Sequence, residues 1–282
     1  MGLIHRFTFS VKDFKNLINL ARKCDMEFFY MLNDGQLHYS SIDREHYTLL
    51  QVFFNCFDTK ELEVFSDPRG ILDVADVWKT IYKLKDGNII YDVPMVSRSW
   101  GALYYANKMI YHKVLEESPY TPVIPRIEGE TIEFKIGLRS LLNSVESITE
   151  DRFSLFSVKG EVGLGNVEDE KVTDTSPLYV KSTGDFSNFI YNKERVLNAL
   201  QGLYQLCNSS AVAMVKVNDR RLLILELPFK LGNIKYVTTP IYLEKARAMF
   251  NGRDVSDRKQ PHTEERNREA AINHESAQNA TV

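Results

Sequence analysis

Cysteine is scarce in this chain of 282 residues: Cys24, Cys56 and Cys207 stand far apart, odd in number and without a Cys-x-x-Cys pair. Neither a disulfide framework nor a cysteine zinc site fits that spacing, and the three read as buried thiols of a reducing compartment. Long apolar runs are missing as well. No stretch approaches the ~20 residues of a membrane span, and the opening MGLIHRFTFS has no apolar signal core, so an intracellular chain with no membrane contact is expected. The sequons at Asn208 and Asn279 are then chance matches. An excess of positive charge is also lacking. With 35 Lys and Arg against 38 Asp and Glu the formal charge is −3, so a nucleic-acid partner would require cations gathered on one face.

A catalytic constellation is equally absent. His46 has Asp43 and Glu45 nearby, but no nucleophile is placed with it, and His5, His38, His112, His262 and His274 show no metal-ligand spacing. Gly160, Gly163 and Gly165 lie within strand-like sequence and do not open a helix, which argues for a hairpin or bulge and against a phosphate loop. No enzyme activity, metal or cofactor is expected.

What the chain does contain is a globular composition, 44% hydrophobic and 26% charged, and an internal repeat. In the first copy Phe7, Phe9 and Val11 alternate as a half-buried strand does, and Phe14, Leu17, Ile18, Ala21 and Cys24 follow at helical spacing. In the second, Ile132, Phe134 and Ile136 alternate before Leu138, Leu141, Leu142, Val145 and Ile148. Each copy continues into a hairpin, turning at Asp34-Gly35 and at Lys159-Gly160, and each holds a second helix, with Val77, Trp78, Ile81 and Leu84 matching Val196, Leu197, Leu200 and Leu203. Short strand signals fill the remainder, among them Leu62–Phe65, Met109–Leu115 and Leu178–Lys181.

Ser118 to Pro125 holds three prolines and reads as a stiff connector. The division expected is therefore residues 1–117, a connector at 118–130, a second domain at 131–244, and a polar tail at 245–282 with too few apolar residues to fold alone.

Ser41-Ile42-Asp43-Arg44-Glu45-His46-Tyr47-Thr48-Leu49-Leu50-Gln51 and Lys235-Tyr236-Val237-Thr238-Thr239-Pro240 carry a resemblance. Both are similar to motifs of the DNA sliding-clamp family of PCNA-type polymerase processivity factors. The Asp86-Gly87-Asn88-Ile89 turn and Gly165 to Asp169 also resemble the clamps of T-even-like phages. The resemblance spans about Ile4 to Glu244. It implies an α+β fold of two similar clamp domains, each with two helices packed on antiparallel sheet, assembling as a homotrimeric ring around double-stranded DNA. Such a ring tethers DNA polymerase and other replication or repair proteins at replication sites, and an ATP-driven clamp loader opens it.

Under that reading Lys12, Lys15, Arg22, Lys23, Lys79, Lys83, Arg139, Lys193 and Arg195 face the DNA. Charge alone singles out only the first helix, where four cations oppose Asp13. His46, Tyr47, Tyr120, Val123, Ile124, Val237 and Pro240 would form a groove for clamp-binding peptides. Met109, Ile110, Tyr111 and Lys113 of one chain would pair with the strand at Ser176–Lys181, through Leu178 and Val180, of the next. The alternative is a non-replicative protein on the same fold, either a checkpoint-type ring subunit or a monomeric processivity factor.

Overall fold

The computed structural model describes residues 4–33, 37–54, 65–94, 100–106, 108–115, 127, 129–169 and 171–241. The Asp34-Gly35 turn, Cys56, residues 62–64 of the expected strand Leu62–Phe65, the connector residues Tyr120, Val123 and Ile124, and the tail from 245 lie outside them. All the described strands and helices belong to one compact unit, Met1–Pro240. None of the described helices is long and apolar enough to cross a membrane.

The first half runs β1 (Ile4–Ser10), α1 (Val11–Lys23), β2 (Phe28–Asn33), β3 (Leu37–Ile42), β4 (Thr48–Phe54), β5 (Phe65–Asp73), α2 (Val74–Ile81), β6 (Asn88–Pro94), β7 (Trp100–Tyr105) and β8 (Lys108–Leu115). The second repeats that order as β9 (Thr131–Gly137), α3 (Leu138–Glu146), β10 (Arg152–Val158), β11 (Glu161–Glu168), β12 (Lys171–Lys181), β13 (Phe186–Asn192), α4 (Lys193–Leu206), β14 (Val212–Asn218), β15 (Leu223–Phe229) and β16 (Gly232–Thr238). Corresponding strands pair alike. Ser10 faces Asn88 just before α1, as Gly137 faces Val212 just before α3. Val11 thus corresponds to Leu138, and Val74 to Lys193.

Local chemistry sets these boundaries. Ser10 accepts a hydrogen bond from the Asp13 amide at 3.0 Å, Asp73 from the Asp76 amide at 2.9 Å and Asn192 from the Arg195 amide at 2.9 Å, so three of the four described helices start on a side-chain cap. In the β10–β11 hairpin Lys159 and Gly160 both have positive φ, 53° and 75°, as a two-residue type I′ turn requires. Gly163 and Gly165 make room for neighbours across the sheet: a Cβ on either would stand 2.5 Å from Phe156 Cζ or Val172 Cγ1, respectively. They are packing glycines.

Two strands depart from the sequence expectation. β12 starts at Lys171, well before Leu178, because its first half, Lys-Val-Thr-Asp-Thr-Ser-Pro, is mostly exposed and lacks the apolar alternation that marks a half-buried strand. β5 runs on to Asp73, past Pro68 and Gly70 and well beyond the expected end at Phe65. Its pairing with β2 shifts register between Leu72 and Arg69 and again between Arg69 and Phe65, and these irregularities hold the proline and glycine.

All strand pairs are antiparallel, in a twelve-stranded sheet ordered β1-β6-β7-β8-β5-β2-β3-β4-β16-β15-β14-β9 and a four-stranded sheet ordered β12-β11-β10-β13. The halves join at β4 and β16, from Thr48 opposite Thr238 to Phe54 opposite Gly232. The helices contact one another in the order α2, α1, α4, α3. One continuous core lies between helices and sheet and takes Ile18, Leu20, Leu50, Leu200, Leu203 and Tyr236 from both halves, with Cys24 and Cys207 buried as free thiols. Each such large side chain contributes roughly 1.5–3 kcal/mol.

Candidate functional site

The helix row presents the cations singled out in the sequence. α1 buries Val11, Phe14, Leu17, Ile18, Leu20 and Ala21, leaving its other face to Lys12, Asn16, Asn19 and Lys23. At the crossing with α4, Leu20 sits on Gly202, where a Cβ would stand 2.7 Å from Leu20 Cδ1. Asn16 donates to the Gln205 carbonyl at 2.7 Å, Asn19 to Gln205 Oε1 at 3.1 Å, and Lys23 Nζ to Gln201 Oε1 at 3.0 Å. The row is therefore stitched at its middle by the side chains of Asn16, Asn19 and Lys23 from α1 and by Gln201 and Gln205 from α4.

The nine proposed DNA-facing cations fall into two groups. Lys12, Arg22, Lys79, Lys83 and Arg139 are exposed, with Arg22 over the Trp78 ring at 4.6 Å and Lys83 over Tyr82 at 5.3 Å. Lys12 and Arg139 occupy equivalent positions, the second residues of α1 and α3. Lys15, Lys23, Lys193 and Arg195 are half-buried and hold the fold together. Lys15 Nζ donates to the Leu84 carbonyl at 2.6 Å, Lys193 Nζ to the Ile148 carbonyl, and Arg195 lies over the Tyr47 ring at 4.8 Å. Lys230, which the sequence did not single out because it sits in a turn, reaches Asp13 Oδ2 at 3.4 Å.

Beside the first turn of α4, the turn after β3 is organised by Asp43. Its Oδ1 accepts from the Tyr47 amide at 2.8 Å and the Thr48 amide at 2.9 Å, and His46 adopts φ 62°. Burial pushes the Asp43 carboxyl above its usual range, against the opposing pull of the Thr48 amide and the Arg195 charge. The Tyr47 carbonyl accepts from the Thr239 amide at 3.0 Å, which sets Pro240 beside this turn. Val237 joins Leu49 and Ile224 in a small apolar cluster separate from the core, flanked by Ile42, Leu222 and the connector residue Ile127. The backbones of His46, Tyr47, Val237 and Pro240 are thus neighbours, while the Tyr47 ring lies under Arg195 and Val237 faces the separate cluster. The five other cluster residues were missed, although Ile42 and Leu49 lie within the motif quoted above and pair across the β3–β4 ladder.

The proposed edges are β8 and β12. β8 pairs with β7 from Lys108 to Lys113 and with β5 only at Val114 and Leu115, so along Met109–Lys113 its other side has no strand partner among the described residues. Met109 is exposed, Ile110 packs on the core, and Tyr111 and Lys113 occupy the same strand. β12 pairs with β11 and with no other described strand. Leu178 is buried and Val180 packs against the core of their own chain, whereas Tyr179, at φ 54°, is 92% exposed. Among the described residues no three His, Cys, Asp or Glu side chains stand close enough to share a metal ion.

This repeated architecture has solved counterparts. The chain is similar to proliferating cellular nuclear antigen (PCNA) from Entamoeba histolytica, with a TM-score of 0.62 and 14% identity over 85% of this chain and 99% of that one. The fold is the sliding-clamp fold. The clamp fold also relates the chain to a PCNA2–PCNA3 complex from Sulfolobus tokodaii, at TM-score 0.61 and 12% identity over 84% of this chain and 99% of that one. A third counterpart is A. fulgidus PCNA bound to the C-terminal region of FEN-1, at TM-score 0.63 and 9% identity over 84% and 98%. No protein-family model matches the chain, and no curated protein matches it in sequence.

Proposed function

We propose that the chain is a DNA sliding clamp, three copies of which close head to tail around duplex DNA and tether a DNA polymerase and other replication or repair proteins. One observation carries the reading. The joint inside the chain sets β4 against β16 and α1 against α4, and the same joint with the repeats exchanged would set β12 against β8 and α3 against α2. Within one chain those partners lie at open strand edges and at the two ends of the helix row, so another copy is needed to complete it. Such a heterologous contact forms a ring when its rotation closes.

The inner joint also supplies a register. Gln51 faces Lys235, and their counterparts are Thr175 and Met109. On this register the strand that meets β8 would be Lys171–Pro177 of the next copy, several residues before the Ser176–Lys181 stretch read from sequence.

The helix row would line the hole, with the exposed cations Lys12, Arg22, Lys79, Lys83 and Arg139 meeting phosphates without reading bases, which leaves the ring free to slide. Lys15, Lys23, Lys193 and Arg195 would shape that surface from behind. The cluster around Val237, with His46, Tyr47, Pro240 and the connector residues Tyr120, Val123 and Ile124, would accept an apolar anchor from a partner peptide. Tethering is then topological: encirclement keeps the polymerase at high local concentration near the primer end, with no covalent chemistry by this chain. A closed ring requires an ATP-driven loader to pass DNA through it.

Light scattering should give a mass of three chains, and protein loaded on nicked circular DNA should survive a high-salt wash and be lost when the circle is cut. A mass of one chain at micromolar concentration, or retention unaffected by linearisation, would overturn the proposal.

A further inference from the structure

The sheet face turned away from the helices carries two apolar areas in the second repeat, and a chain of ion pairs divides them. In β16 the residues on that face are Asn233, Lys235 and Val237, alternating with buried Ile234 and Tyr236. Lys235 faces Glu226, Glu226 faces Met214 and Met214 faces Lys135, so one row of side chains crosses β16, β15, β14 and β9. Charge concentrates along it. Lys216 meets Glu226 at 2.9 Å and Glu133 at 3.4 Å, and Lys235 meets Glu226 at 3.9 Å. On one side of these pairs lies the cluster of Leu49, Ile224 and Val237. On the other, Phe53, Val212, Met214 and Pro228 line a groove of about 620 Å³.

Two features fit the groove to a ligand. Its apolar walls are left partly bare: Val212 is 49% exposed, Pro228 is exposed, and Phe53 is half-buried with its ring 4.8 Å from that of buried His38. Its charges do not balance either. Lys135, Lys216 and Lys235 outnumber Glu133 and Glu226, and Lys135, exposed at the edge of the groove, has no ion-pair partner among the described residues. The repeat shows that the fold does not require this arrangement. The counterparts of Lys135, Met214 and Glu226 in the first repeat are Thr8, Ile90 and Tyr104, a row without charge. An apolar groove with a spare lysine at its edge is therefore particular to the second repeat.

We propose that this groove is a second docking site, filled by an acidic segment of a partner protein that lays one large apolar side chain against Phe53, Met214 and Pro228 and sets a carboxylate beside Lys135. Charge complementarity selects the partner: a carboxylate supplies the counter-ion that Lys135 lacks, whereas a basic segment would meet a cation already in surplus. The apolar side chain takes Val212 and Pro228 out of water. Four residues of β16 separate Asn233 from Val237, about 13 Å of strand with the ion pairs between, so an occupant of the groove and one of the Val237 cluster need not collide. The groove is complete within one chain, and the inference stands whether or not copies close a ring.

The test is fluorescence anisotropy with the full chain and a labelled peptide in which a Phe-Leu pair is flanked on each side by three glutamates. It should bind saturably with Kd below about 1 mM. The same peptide with lysine in place of every glutamate, or with Gly-Ser in place of Phe-Leu, should bind about tenfold more weakly or worse. Lys135→Glu and Val212→Glu, both at exposed positions and checked for folding by circular dichroism, should each weaken the acidic peptide by about tenfold. Arg220→Glu makes the same charge change at an exposed turn and should leave its binding unaltered. No saturable binding, equal binding of the lysine peptide, or a loss no greater for Lys135→Glu than for Arg220→Glu would overturn the inference. So would a peptide that is lost with Val237→Ala and insensitive to Lys135→Glu and Val212→Glu, because it would then sit in the other cluster. A lower mass by light scattering for Val212→Glu than for wild type would show a second copy in the groove and overturn it as well.

Discussion

Asp43 combines two properties that pull against each other. It is buried, which raises its carboxyl pKa, and it accepts from two backbone amides that favour its charged form. Burial is the larger effect, so the folded chain holds this proton more tightly than the unfolded chain does. The contribution of Asp43 to stability is then fully present at low pH and declines as pH rises from the ordinary carboxylate range through the raised value. Asp43→Asn keeps the accepting oxygen and removes the titration. Urea midpoints measured between about pH 4 and 7 should lose part of their downward slope in this variant. Asp43→Ala leaves one buried and one half-buried amide without their acceptor and should cost about 1–3 kcal/mol at any pH.

At the level of elements, the α1–α4 crossing depends on one missing side chain. Gly202→Val would force its branches into Leu20, whose Cα already lies 3.1 Å from where a Cβ would stand. A loss of roughly 1–3 kcal/mol in denaturant unfolding is expected, partly recovered when Leu20→Ala is added, so that the two changes are non-additive. Helices, hairpins and the repeat itself were legible in the sequence because each element buries one face and so writes its period into the apolar residues. β5 and the start of β12 were not legible. One hides a proline and a glycine in its irregularities, and the other is mostly exposed and has little apolar pattern to show. The candidate site divides in the same way. A lysine opposite an apolar stripe can be placed on the outer face of a helix from spacing alone, but no local rule reveals that Lys15 ends on the Leu84 carbonyl or Lys23 on Gln201. Those partners come from distant segments. The apolar cluster around Val237 was half legible, since its motif was visible while its partners on β15 were not.

At the scale of the whole molecule, the repeat makes the joint inside the chain a template for the joint between chains, residue by residue. Opposed residues of an antiparallel ladder lie about 4.5–5.5 Å apart at Cα, within the span of a disulfide. Met109→Cys combined with Thr175→Cys should therefore oxidise to covalent dimers and trimers on a non-reducing gel. Met109→Cys with Val180→Cys should remain single chains. Efficient cross-linking by the second pair and not the first would mean that the edges meet in the register read from sequence.

The pairing of β4 with β16 also fixes an order of events during synthesis. β4 is complete after the first fifth of the chain has been made, yet its ladder partner is the last described strand. The first repeat must therefore emerge from the ribosome with the edge of β4 open and the α1 face that receives α4 bare. An unpaired edge beside exposed leucine is the combination most prone to aggregate. A contact spanning about two thirds of the sequence also forms slowly, because the loop must close before the contact stabilises anything. This protein's dependence on chaperones should be greatest in the interval between completion of β4 and arrival of β16.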